Sequence, residues 1–333
     1  MSDLRGWGEK PYTARRIFLQ HAPSVIRRPC LLLGSAGVAN AWFRVACTDP
    51  LVQERLDPII SPGVNPSNHV HTIHGASNFN PTYNYDNLRA SNCTNCLVAQ
   101  DLSNYWFPKL YFQDPKTKLF EPVNNGTYSF TIRTVATETN LTVAFPPGLR
   151  MITGDPRRRS KKFAVGLGTQ DELRERAIQW SCLRYNAGLP GYDDNGTGFP
   201  TTDCESGLNL FYEITWNVHD FSGRWTPGTD KWPFVYATGD PTGFSWHGDF
   251  QNGWDTTALQ NAIDNCNNPN DPTGSGITEA CSFLTVKTAD LSNTCKIKAI
   301  ETIGGQLAKL PGCNPLQFGP GDATIFSAAT CPQ

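Results

Sequence analysis

The sequence predicts a mainly β protein, an antiparallel β-sandwich or jelly-roll-like single domain with long ordered loops and few short helices. Three observations carry that expectation. Apolar residues alternate with a period of two in several short segments, 29 glycines and 25 prolines punctuate 333 residues, and only 17% of the residues are charged. Together they describe many short strands joined by turns, not a helical protein. With 39% hydrophobic residues the chain can bury a full core.

The N-terminal residues 1–28 carry Arg5, Lys10, Arg15, Arg16, Arg27 and Arg28, and the mostly apolar stretch 29–41 closes on Ala39-Asn40-Ala41. Basic, then apolar, then small is the order of a secretory signal. Residues 1–41 are therefore set aside as an atypical signal-like segment, 42–318 as the β-rich domain and 319–333 as a loose tail tethered through Cys331. The basic part is long and Gly34-Ser35 interrupts the apolar part, oddities that a wrongly assigned first exon would explain. No run approaches the roughly 18 to 20 apolar residues that span a bilayer, so no membrane anchor is expected.

Strand candidates follow in order at 42–47, 69–73, 106–112, 141–145, 178–183 and 232–237, each bounded by Gly, Pro, Asn or Asp. The clearest alternation puts Tyr128, Phe130 and Ile132 on one face of a strand, and Leu210, Tyr212, Ile214, Trp216 and Val218 on one face of another, with Glu213, Thr215 and Asn217 opposite. Helix is sparse. Residues 170–177 could form two turns, and Asp255 or Thr256 could cap a helix running to about Asn265.

Removing residues 1–41 takes away Cys30 and leaves ten cysteines, an even number that suits full pairing. Four Asn-x-Ser/Thr sequons, at Asn92, Asn125, Asn140 and Asn195, agree with an export route. Cys93-Thr94-Asn95-Cys96 has redox or zinc-knuckle spacing, but no second such pair lies at zinc-finger distance, so structural disulfides are the expectation. A net charge of −2 supplies no field for nucleic acid, which is excluded as a partner. The basic run Arg157, Arg158, Arg159, Lys161, Lys162 reads as a solvated loop.

Two histidine words could carry chemistry. In His69-Val70-His71 the first and third residues project to one side of a strand, where two imidazoles can meet on one metal ion, while His74 points to the other face or into the turn at Gly75. The second word, Trp246-His247-Gly248-Asp249, adds His247 and Asp249 two positions apart. The expected metal ligands are His69, His71 and His247, and the cofactor a divalent transition metal, copper, zinc or manganese. His71, His247 and Asp249 are the candidate catalytic residues. The bland alternative is that these histidines bond to backbone and shape loops, with Gly248 and Gly253 making turns.

Carboxylates offer a second engine, with Asp249 and Asp255 near one word and Asp86, Asp101, Glu213 and Asp220 elsewhere available for glycoside cleavage. A lyase would draw on Tyr83, Tyr85, Arg89 and Arg150. Among nine tryptophans, Trp106, Trp246 and Trp254, with Tyr105, are the expected substrate-binding rings and Trp225 a further candidate, because flat rings stack on sugars. Trp216 belongs to the core.

These words, in order, resemble one family. Arg55-Leu56-Asp57-Pro58-Ile59, His69-Val70-His71, Gly75-Ala76-Ser77-Asn78-Phe79, Cys93-Thr94-Asn95-Cys96 and Ser103-Asn104-Tyr105-Trp106 are followed by Phe145-Pro146-Pro147-Gly148-Leu149-Arg150-Met151, His247-Gly248-Asp249-Phe250 and Gly253-Trp254-Asp255. They are similar to the fungal extracellular family DUF1996, over about Trp42 to Gln317. The resemblance implies an extracellular, cell-wall location in a fungus and no established reaction. Between Asp203-Cys204 and Leu210 it also implies an additional stretch with a Cys-Trp-Asp-Gly word and a His-x-x-His word, absent here through a skipped exon or a deletion. The functional expectation is a monomeric secreted protein acting on or binding cell-wall polysaccharide through a histidine-centred metal site. Alternatives are a non-catalytic carbohydrate-binding or wall-structural protein, and a host-directed effector.

Overall fold

The computed structural model describes residues 42–134, 143–160, 183–184, 204–205, 208–266 and 276–332. The signal-like segment, the helix expected at 170–177, nearly all of the strand expected at 178–183, and Asn140 and Asn195 lie outside the described residues.

Alternating strands build two facing antiparallel sheets. β1 (Trp42–Cys47), β7 (Asn125–Thr134) and β11 (Leu208–Trp216) form one, in the order β1-β7-β11. β2 (Val52–Glu54), β3 (His71–Gly75), β4 (Asn104–Pro108), β8 (Arg150–Gly154) and β13 (His247–Gln251) form the other, in the order β2-β3-β4-β13-β8. A third, smaller sheet joins β5 (Leu110–Gln113), β6 (Phe120–Pro122) and β12 (Phe234–Tyr236), and β9 (Leu183–Arg184) pairs with β10 (Cys204–Glu205).

The register of the five-stranded sheet decides what each face does, because side chains two apart share a face. Val52, Ile73, Trp106, Asp249 and Ile152 make one transverse row. The next row on the same face carries Glu54, His71 and Pro108, with His247 opposite Gly154. The other face presents His74, Tyr105, Phe107, Met151 and Phe250 to the three-stranded sheet. There Tyr105 stacks on Phe130 at 4.0 Å between ring centroids, and Phe130 meets Tyr212 edge-on at 4.9 Å. This inner layer is the sandwich core, and burying each such ring stabilises the fold by about 1.5–3 kcal/mol. His74 belongs to it, stacked on Phe107 with Asn95 at 3.1 Å from its Nδ1.

The outer face of the five-stranded sheet is covered by the chain from Leu51 to Leu88, whose Leu56, Phe79, Tyr83 and Leu88 pack with Ile73 and Trp106. Helix α1 (Tyr85–Arg89) starts from a capping box of Asn84 and Asn87. As expected, Asp255 caps α2 (Thr256–Asn265), its carboxylate accepting from the Ala258 amide at 2.8 Å. A short α3 (Ala289–Asn293) is capped by Thr288.

Several boundaries differ from the sequence expectation. Val218 leaves the strand for a 3₁₀ turn at Val218–Phe221 and is exposed. The segment 106–112 is two strands divided at Lys109. Residues 143–145 of the expected strand 141–145 form no strand, Phe145 packing into the core instead. The basic run is not simply a solvated loop. Arg157 is exposed beside Asp155, but Arg159 is buried, donating to the carbonyls of Pro156, Arg158 and Thr238.

Cys93 and Cys96 belong to different bridges, Cys93–Cys295 and Cys47–Cys96, so this word is a pair of structural crosslinks. Cys266–Cys281 and Cys313–Cys331 complete four disulfides among the described residues. The last of these anchors the tail, and the Ala323 amide of that tail donates to the Arg157 carbonyl. No helix among the described residues is long and apolar enough to cross a membrane.

One buried cation makes stability depend on pH. Lys109 lies between β4 and β5, its Nζ donating to the Val123 carbonyl at 2.6 Å and sitting 5.4 Å from the Trp216 ring centre. Burial lowers its pKa to about 7. The unfolded chain then holds more proton between that value and the ordinary lysine value, so stability rises with pH across this window. Chemical unfolding at pH 7, 8 and 9 should show the rise in the native protein and a smaller one in Lys109→Met, since burial also lowers the pKa values of Lys287 and Lys296.

Candidate metal centre

Three imidazoles from two remote segments converge on the outer face of the five-stranded sheet. His71 is in β3, His247 is in β13 two strands away, and Pro108 of β4 lies opposite His71 between them. His69 precedes β3 by two residues, off the strand, yet its ring stays on the same side at 4.3 Å from that of His71. His247 Nε2 is 3.0 Å from His69 Nε2 and 3.3 Å from His71 Nε2. One nitrogen from each ring lies within 4.8 Å of the other two. Ligands at 2.0–2.1 Å around a tetrahedral ion stand roughly 3.3 Å apart, close to the two separations from His247 Nε2.

The site is internal. His69, His71 and His247 are 7%, 0% and 3% exposed. Burial is the largest cause lowering all three pKa values, that of His71 to about 4, and repulsion from the neighbouring imidazoles adds to it at His69 and His71. At neutral pH the rings therefore keep lone pairs, the state a metal requires. His247 Nδ1 donates to the Ser245 carbonyl at 2.9 Å, which leaves Nε2 as the lone-pair nitrogen.

Ser245 is itself held. Its amide donates to Asp240 Oδ2 at 2.7 Å, its hydroxyl meets Thr238 Oγ1 at 2.7 Å, and Arg159 binds the Thr238 carbonyl at 2.7 Å. Arg159 and Asp240 form a fully buried pair at 3.8 Å. The C-terminal segment laces the two histidine segments together, because Asn314 Nδ2 donates to the Asn68 carbonyl and the Gln317 amide to the Gly239 carbonyl, each at 3.0 Å. Sequence reasoning missed Arg159, Asp240 and Ser245. The turn word Gly239-Asp240-Pro241-Thr242-Gly243 was the available signal, since such an aspartate caps its own loop.

Asp249 shares the face, its Oδ2 3.9 Å from His247 Nε2. Burial pushes its pKa well up, and the nearby Asp57 carboxylate adds to the shift. Asp57 is fixed by the amides of Ile59 and Ile60, each at 3.1 Å, and its charge also acts on His71 and His247.

The other candidates take structural places. Tyr105, Trp106 and Trp254 are fully buried, so no ring face is open to a sugar, and the burial that fills the core removes them as a binding surface. Trp246 is half-buried against Tyr212. Trp216 packs against the core as expected, and Trp225 meets the exposed Trp232 at 5.6 Å. Asp101 is committed to the Tyr105 hydroxyl and the Ser103 amide, while Asp86, Glu213 and Asp220 are solvated. Tyr85, Arg89 and Arg150 bond to backbone carbonyls, and Tyr83 is buried under Phe79. Gly248 lies within β13, not in a turn.

Gly154 makes the close approach to His247 possible. Its φ is +81°, and an added Cβ would stand 2.3 Å from the Trp246 carbonyl oxygen and 2.8 Å from His247 Cα. Gly154→Ala should therefore push β8 off β13, costing at least about 1–2 kcal/mol for the left-handed backbone alone. Thermal unfolding with metal titration should show both lower stability and weaker metal binding.

A mainly antiparallel β fold with a buried three-histidine cluster on one sheet face is the class of protein these features define. The chain belongs to the DUF1996 family, described as a domain of unknown function, whose model matches residues 57–210 and 208–254. The two pieces meet where the family resemblance implied an additional stretch. No curated protein and no solved structure matches the chain.

Proposed function

We propose that this is an extracellular metal-binding protein directed at cell-wall polysaccharide, in which His69, His71 and His247 ligate one divalent transition metal. The observation that carries the reading is the convergence of three ring nitrogens within 4.8 Å. Unliganded, three buried imidazoles facing one another gain little, whereas a metal uses all three lone pairs. Imidazole donors suit copper and zinc better than manganese. Four disulfides favour an oxidising, exported setting.

Polysaccharide is supported by the exposed aromatic edge of Trp232 beside Trp225, and by the exposed Phe318 beneath Lys231. The near-complete burial of the histidines favours a binding protein whose metal supports the fold, since a polymer chain does not reach the cluster in this conformation. The second reading, a metal-dependent enzyme, draws on Asp249, a buried carboxylate beside the ligands that could hold a proton. Binding of the metal-loaded protein to insoluble wall glucans and chitin separates the two. Retention lost in Trp232→Ala with no soluble product supports the binding protein; product release abolished in His71→Ala supports the enzyme; neither retention nor product removes polysaccharide from the proposal.

A further inference from the structure

We infer that Asp249 is the fourth protein ligand, closing the centre into an N3O set suited to zinc, so that the ion staples β13 to β3 and leaves no position for a substrate. This rests on the three-histidine reading and adds to it the coordination number and the role of the ion.

Three observations converge on Asp249. It is 1% exposed, and neither carboxylate oxygen has a hydrogen-bond partner among the described residues. A buried carboxylate without donors is destabilising, so its presence calls for a partner of another kind. Asp249 also projects from the same face of β13 as His247, and Oδ2 is 3.9 Å from the nitrogen that His69 and His71 both approach. It lies outside the three-nitrogen cluster, so its ligation requires a rotation of the side chain on a fixed strand. Finally, its backbone is immobilised, because the Tyr212 hydroxyl donates to the Asp249 carbonyl and the strand is paired on both sides, with Trp106 and with Ile152.

The chemistry favours zinc. Three neutral imidazoles and one carboxylate give a dication a compact donor set of borderline and hard atoms, and a filled d shell accepts the tetrahedral arrangement without penalty. The Asp249 and Asp57 carboxylates would together offset the ion's charge against the buried Arg159 guanidinium, whose field reaches His69. A closed set of four protein donors marks a structural centre, whereas a catalytic one keeps a place for water or substrate.

The test uses the full chain, stripped and reloaded with Zn(II) or Co(II). In the wild-type cobalt protein we expect the intense visible bands of a tetrahedral ion, unchanged by azide because no exchangeable position exists. Asp249→Asn should bind Zn(II) at least about 100-fold more weakly, exceeding the 10- to 100-fold loss typical of outer-shell partners. Its metal-free form should be as stable as the wild type or more so, and Asp249→Leu more stable still, since each removes an unpaired buried carboxylate. Wild-type binding of one ion with azide-sensitive bands, or with unchanged affinity in Asp249→Asn, overturns the fourth ligand and leaves the three-histidine centre standing. If the wild type binds no ion, both fall together.

Discussion

Replacing His71 with alanine should abolish stoichiometric metal binding. His71 is fully buried, and its Nε2 is 3.3 Å from that of His247. Its loss leaves two nitrogens and opens a hole in the row that links Glu54 to Pro108. Because binding energy at a site absent from the unfolded chain is also folding energy, the variant should lose the stabilisation that metal gives the wild type. Competition against a chromogenic chelator should give an affinity lower by more than about 100-fold, beyond the loss expected for an outer-shell residue. His74→Ala is the matched control. It lies on the opposite face among Phe107 and Phe130, so it should lower stability through packing and leave metal affinity within a few-fold of native.

The second large effect concerns Cys93–Cys295. This bridge closes a loop of 202 residues and ties the covering segment over the outer sheet face to the chain near α3. In the chain-entropy account, a loop of this size gives about 5 kcal/mol, and removing a native bridge costs about 2–5 kcal/mol. A Cys93→Ser/Cys295→Ser double variant should unfold at markedly lower denaturant concentration than the wild type. The equivalent change at Cys266–Cys281, which closes 15 residues, should cost less, about 3 kcal/mol in the same account. Equal losses for the two bridges would show that native packing and not loop length sets their contribution.

How much of this was legible in the sequence follows from which interactions are local. The alternation at 128–132 and 210–216 named the strands that face the core, because period two is a local property of a half-buried strand. Asp255 announced the start of α2 for the same reason. His69, His71 and His247 were readable as ligand types in favourable spacing, and the face reversal of His74 followed from strand geometry. What spacing alone did not supply was the β3-β4-β13 order that brings residues 71 and 247 together, which depends on pairing at long range.

The aromatic residues failed as a local signal. Tyr105, Trp106 and Trp254 were expected to stack on sugars, yet β4 is a central strand buried on both faces and Trp254 enters the inner core. A strand with no polar face shows no alternation, so its burial is invisible to a periodicity argument. The same holds for Arg159. A guanidinium within a basic run looks solvated until the Thr238 carbonyl and Asp240 are placed against it.

The most direct measurement of the central claim is X-ray absorption at the metal edge of the full chain loaded with one equivalent of zinc. Three imidazole nitrogens at about 2.0–2.1 Å around a single ion are the predicted result. An ion surrounded only by oxygen, or a chain that retains none after removal of excess zinc, would contradict it.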